Sequence, residues 1–226
     1  MVILIASLAP VLIILFYIYI RDRYEREPLV LLVRALVAGM LIVIPVFFVE
    51  RFLVTRMPLT GQIPSAVYNA FLVAGFTEET FKFLALLLLV WKSPSFNEKF
   101  DGIVYAVFVS LGFAAVENVL YVSQGGTHTA MVRGVTAVPA HALFGVTMGY
   151  YLGIARMYEE LRKRYLRRAL LLPILLHGIY DFILMVGVEW LLTVFFVYVI
   201  FLYFYGMRKM RILSDASIFK PVEGEE

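Results

Sequence analysis

The sequence predicts an all-α, polytopic integral membrane protein with about seven transmembrane helices. Three observations carry this expectation. Of the 226 residues, 62% are hydrophobic and 16% charged, with a mean hydropathy of +0.87. A soluble domain is about half apolar and a quarter charged. Seven apolar runs approach the about 20 residues that cross a bilayer. Lys and Arg are concentrated in alternate connecting segments, as the positive-inside rule requires.

The first run, residues 2–20, lacks the basic start and small-residue cleavage site of a signal peptide, so it is expected to be a retained helix. Residues 29–49 form the second. The third, residues 66–91, carries Glu78, Glu79 and Lys82 at its centre. The fourth and fifth, residues 102–122 and 132–157, are separated by a region that Gly125, Gly126, Gly134 and Pro139 interrupt. Residues 169–187 and 189–206 complete the set. No internal repeat or soluble domain is visible. The expected organisation is one helical membrane domain over residues 1–206, with its functional core at about 66–187. A short polar cytoplasmic tail is expected over residues 207–226.

Orientation follows from the basic residues. The segment after the first run has Arg21, Arg23 and Arg26, and that after the third has Lys92 and Lys99. Six more lie between Arg156 and Arg168, and the tail has Arg208, Lys209, Arg211 and Lys220. These four segments hold 15 of the 20 basic residues. The opposite side has Arg51, Arg56 and Arg133. The N-terminus is therefore expected outside and the C-terminus in the cytoplasm, in a multi-pass protein of the cell membrane. The chain has no cysteine, which excludes disulfides and thiolate metal sites. Nothing points to a nucleic-acid partner; the basic loop at 156–168 suits an anionic leaflet.

Ionisable groups at mid-bilayer cost roughly 2.5–3.5 kcal/mol each and mark function. Here they are Glu78, Glu79, Lys82, Glu117, His141, His177 and Asp181, on four consecutive runs, with nothing comparable in the centres of the first, second and seventh. Glu78 and Lys82 are i,i+4, and Glu79 is i,i+3 from Lys82, so the lysine is expected to pair with either carboxylate while the other points elsewhere. His177 and Asp181 are i,i+4, so Asp181 can fix the imidazole tautomer. Counting about 1.5 Å per residue brings the groups to similar depths, between the outer leaflet and the midplane. Each has a plainer reading: a structural ion pair at 78–82, a packing histidine at 141, a helix bridge at Glu117 and Asn118. Their segregation onto four helices favours a common site.

A glutamate beside a histidine in a confined site can activate water, and a second histidine can donate to an oxyanion. That combination suits amide hydrolysis. Glu78, His141 and His177 also resemble a zinc set with an open position, although no H-E-x-x-H pair is present. A proton-coupled transporter and a non-catalytic membrane scaffold are the alternatives.

These residues resemble the PrsW intramembrane proteases. The motif Glu78-Glu79-x-x-Lys82 is similar to that family's paired-glutamate signature, and Phe113-Ala114-Ala115-Val116-Glu117-Asn118 to its second. His141 and His177-x-x-x-Asp181 follow in the family's order. The wider superfamily of CAAX prenyl endopeptidases and bacteriocin-processing proteins carries E-E-x-x-x-R, F-x-x-x-H and H-x-x-x-N. Lys82 at shorter spacing, Pro139-Ala140 before His141 and Asp at 181 favour PrsW. The resemblance implies cleavage of a single-span, anti-sigma-factor-like membrane protein on the extracytoplasmic side. It implies that Glu78 and His141 activate water and that His177 with Asp181 stabilises the oxyanion. Glu79 and Lys82 support the site, and Glu117 and Asn118 position groups or touch substrate. No cofactor is expected to be required, and zinc is the alternative.

Overall fold

A computed structural model describes residues 2–221. It is all-helical: α1 (Val2–Arg21), α2 (Leu29–Thr55), α3 (Gln62–Val67), a π-helical segment (Tyr68–Phe76), α4 (Thr77–Val90), α5 (Lys99–Val135), α6 (Ala137–Met157), α7 (Arg162–Met185) and α8 (Leu191–Asp215). Five helical stretches are long and apolar enough to cross a membrane: Leu4–Arg21, Leu29–Thr55, Lys99–Met157, Arg162–Met185 and Leu191–Asp215. The Lys99–Met157 stretch covers the fourth and fifth expected runs. The third expected run is divided among α3, the π-helical segment and α4.

α5 and α6 form the centre. Their apolar stretch is 78% buried, while the other four are 17–33% buried. Close approach explains this. A Cβ on Gly102 would strike the backbone of Gly149 and Gly153, and one on Gly39 of α2 would strike Val109 of α5. With little hydrophobic drive between helices in lipid, small residues that admit backbone contact hold such a bundle together. Large apolar side chains face outward instead, among them Phe16, Phe48, Leu88 and Phe204.

Local signals set several boundaries. Glu98 and Asp101 form a capping box at the start of α5, satisfying orphan amides there. Pro139 sits in the first turn of α6, where its missing N–H costs nothing. Gly126 interrupts α5 with φ 70 and ψ −161, a conformation open only to glycine. The chain doubles back there, so Arg133 meets Asn118 and Glu117. In a straight helix fifteen residues would separate them by roughly 22 Å.

Two elements run past their expected ends. α2 continues beyond residue 49 to Thr55, bringing Glu50 into the helix. α8 continues beyond residue 206, and where the polar tail was expected Met210 and Leu213 are buried. There the Lys209 ammonium lies over the rings of Tyr150 and Tyr151, 3.8 and 4.4 Å from their centroids. The last part of the expected tail, residues 222–226, lies outside the described residues.

Candidate active site

A cavity of about 1170 Å³ opens where the ends of α2 and α7, α3 and the bend of α5 converge. Glu78, Glu117, His141, His177 and Asp181 line it. Glu79 and Lys82 lie behind its wall, both 0% exposed. Four helices supply these groups: α4, α5, α6 and α7.

The π-helical segment delivers the two glutamates. Gly75 packs on the α7 backbone, where a Cβ would press on Ile174 and Gly178. Thr77 donates its hydroxyl to the Leu72 carbonyl, five residues back, matching the wider helical turn. Such π segments recur at functional sites. α4 follows directly and is held between α2, α5 and α7.

Lys82 does not choose between the carboxylates. Its Nζ donates to Glu78 Oε2 at 3.0 Å and to Glu79 Oε1 at 2.7 Å at once. It also lies 3.2 Å from His141 Nδ1. Both glutamates therefore point inward, against the expectation that one would point elsewhere. The i,i+3 and i,i+4 spacings converge on one ammonium because the lysine stem is long enough to lie between them.

Each histidine is held from behind by a carboxylate. His141 Nε2 is 2.9 Å from Glu117 Oε2, and His177 Nε2 is 3.3 Å from Asp181 Oδ2. Since ammonium can only donate, His141 Nδ1 accepts from Lys82, and the ring proton is on Nε2, donated to Glu117. His177 Nδ1 lies 3.0 Å from Glu79 Oε1 and 4.0 Å from Glu78 Oε2. The Phe144 ring stacks on His177, with centroids 4.9 Å apart and planes at 19°. Together these contacts fix both rings with Nδ1 turned toward the glutamates.

The donor set suits a metal ion. One atom each from Glu78, Glu79, His141 and His177 lies within 4.8 Å of all the others, and all four residues are buried. Glu79 Oε2 is buried without a hydrogen-bond partner, an orphaned acceptor in that set. Metal-bound histidines characteristically give their second nitrogen to a carboxylate, as Glu117 and Asp181 receive them here. Glu79 thus joins the Glu78, His141 and His177 of the sequence reading.

Asn118 stands apart from the cluster. Its amide donates to the Ser7 carbonyl of α1 at 2.7 Å, and its oxygen accepts from Arg133 at 2.9 Å. It joins helices and orients Arg133. Arg133 itself, counted above only as an outer-side charge, binds Glu117 Oε2 at 2.8 Å. Its signal was faint: a lone arginine after a glycine pair, placed by a chain reversal that spacing does not reveal. Glu50 also lines the cavity. Its signal was the apolar Phe52-Leu53-Val54 beyond it, which prolongs α2 past the expected end.

Comparison with known proteins bears on this arrangement. Residues 27–207 match the family model described as "PrsW family intramembrane metalloprotease". Protease PrsW of Bacillus subtilis (strain 168) is 38% identical over 207 residues, covering 91% of this chain and 93% of that protein. Protease PrsW of Geobacillus kaustophilus is 40% identical over 185 residues, 82% of this chain and 80% of the relative. That of Oceanobacillus iheyensis is 41% identical over 182 residues, 80% and 82% of the two chains. No solved structure matches.

Proposed function

The chain belongs to the PrsW family of intramembrane metalloproteases, and from that premise we propose that it cleaves a single-span, anti-sigma-factor-like membrane protein near its extracytoplasmic end. The observation that carries this reading is the meeting of Glu78, Glu79, His141 and His177 within 4.8 Å beside a cavity. Glu79, His141 and His177 would hold a divalent ion, with Glu78 as a further donor. Bound there, such an ion supplies Lewis acidity and an activated water. The choice of metal is open to any ion that accepts carboxylate and imidazole donors, zinc included.

The protein's own groups divide the remaining work. Glu78 lines the cavity, whereas Glu79 is wholly buried. Glu78 is therefore the general base that takes the proton of the attacking water and passes it to the leaving amine. Glu117 and Asp181 hold the two imidazoles in place. His177 gives Nε2 to Asp181, which leaves its Nδ1, on the glutamate side, to hold the ion. Lys82 neutralises part of the paired carboxylate charge. The apolar upper walls, including Val46, Phe47 and Val54, suit a substrate helix arriving from the bilayer.

Orientation supports the extracytoplasmic assignment. The cavity is lined by Thr55, Gln62, Gln124 and Met185, at one end of the bundle. The basic connections after α1, α4 and α6 lie at the other ends of the same helices. With those connections cytoplasmic, the cavity opens outward, the N-terminus is outside and the C-terminus inside.

The test is cleavage of single-span substrates in proteoliposomes by the wild type, Glu78→Gln and His177→Ala, with and without a strong chelator. The expected result is cleavage by the wild type alone, lost on chelation and restored by a divalent ion. Intact cleavage by Glu78→Gln rules out its role as base.

A further inference from the structure

The Lys82 ammonium stands where a metal ion would bind. Nζ is 2.7 Å from Glu79, 3.0 Å from Glu78 and 3.2 Å from His141 Nδ1, three of the four prospective metal-binding residues. It is 0% exposed, and among the described residues Glu78 and Glu79 are the carboxylates it pairs with.

The decisive atom is His141 Nδ1. Glu117 takes the proton on Nε2, so Nδ1 has one in-plane lone pair to offer. That lone pair accepts from Lys82 or it ligates a metal; it cannot do both. Glu79 Oε1 is contested in the same way, being the nearest acceptor of the ammonium and the contact of His177 Nδ1. An ammonium and a divalent ion sharing these donors would also face each other across a few ångströms with little water to screen them.

Resting on the metalloprotease reading, we propose that Lys82 and the divalent ion are alternative occupants of one cation site. In the metal-free protein the ammonium holds Glu78, Glu79 and His141 in register. Metal binding requires Nζ to leave His141. The Phe113 ring, with its centroid 4.3 Å from Nζ, offers the nearest place for the displaced charge through a cation–π contact. Lysine thus keeps two buried carboxylates compensated until an ion arrives, at the expense of affinity for that ion.

The experiment measures binding of Zn²⁺ and, separately, Mn²⁺ to full-length, metal-stripped protein in nanodiscs, against a competing chelator. Wild type is compared with Lys82→Met, which keeps the stem length and removes the charge. Expected is a variant that binds the ion tighter by about tenfold or more, melts lower than wild type without metal, and gains more from adding it. Equal or weaker binding by Lys82→Met overturns the proposal, because a lysine that coexists with the ion as a helper would produce that result. Should the variant not fold without metal, the wild type decides. The ¹⁵Nζ resonance of Lys82, identified by its absence in Lys82→Arg, is expected to shift or vanish on metal addition; an unchanged resonance overturns the proposal. A wild type that binds no divalent ion removes the metal reading altogether. A wild type that binds while Lys82→Met binds no tighter removes only the exclusion.

Discussion

His141 and His177 meet edge to face, with centroids 5.3 Å apart and planes at 88°, and each turns Nδ1 to the same pair of glutamates while its Nε2 rests on a separate carboxylate. Two helices that adjoin in the fold thereby contribute equivalent ligands. The outer carboxylates differ in origin: Glu117 comes from α5, whereas Asp181 comes from the same helix as its histidine. This asymmetry separates their mutational consequences.

Asp181→Ala should leave the bundle intact, because the side chain is partly exposed at 17% and serves His177. It should weaken divalent-ion binding by about 10–100-fold, the usual effect of removing a carboxylate behind a histidine ligand. Chelator competition measures this, and unchanged affinity would show that Asp181 does not orient the ring.

Arg133→Gln should act on stability as well as on His141. It leaves Glu117 without its guanidinium partner in a site where the two side chains are 19% and 16% exposed. A loss of about 3 kcal/mol is expected, the lower end of values for breaking a buried ion pair. The reverse-order double variant Arg133→Gln/Glu117→Gln should be less destabilised than the sum of the two single changes. Additive losses in denaturant titrations would show that the ion pair contributes nothing.

The polar residues of the site were readable because a carboxylate or imidazole inside an apolar run stands out against its cost. The i,i+4 pairing of His177 with Asp181 came with them, since it depends only on helical geometry. Arg133 was hidden because its partner is fixed by the reversal at Gly126, not by spacing. The apolar run at 66–91 reads as one helix, yet it divides into three elements; apolar composition does not distinguish an α from a π turn. Lys82 bridging both glutamates was missed for a different reason: helical angles place Cβ atoms, while a four-carbon stem reaches across them.

Gly126→Ala tests that reversal. A Cβ there meets nothing within 4 Å, so the cost is backbone strain at φ 70 and ψ −161, about 1–3 kcal/mol. The 127–135 return should loosen, with faster amide exchange there and a drop in ion affinity through the Arg133–Glu117–His141 chain. Unaltered exchange would mean that the bend tolerates an L-residue.

The last prediction concerns the opposite end of the bundle, outside the membrane spans. Asp22 and Glu27 are buried between α1 and α2, at 1% and 4% exposure. Burial pushes the Asp22 carboxyl up to about 7, and the nearby Asp101 and Glu98 add to the rise, while the Glu27 backbone N–H opposes it. Burial likewise pushes Glu27 up to about 9, with Asp101 again adding. Tyr105 donates its hydroxyl to Glu27. A carboxyl with a raised folded-state value binds its proton more tightly in the folded protein than in the unfolded chain. Its stabilising contribution is complete below about pH 4, where both states are protonated. It declines as pH rises above that and is gone once pH has passed the folded values of about 7 and 9. Asp22→Asn and Glu27→Gln remove the proton uptake and keep hydrogen-bonding shape, since the glutamine oxygen still accepts from Tyr105. Both variants should melt higher than wild type at pH 8–9, and their melting temperatures should vary less between about pH 5 and 9. A wild type whose melting temperature rises across that interval would show instead that the folded protein does not hold these protons more tightly than the unfolded chain.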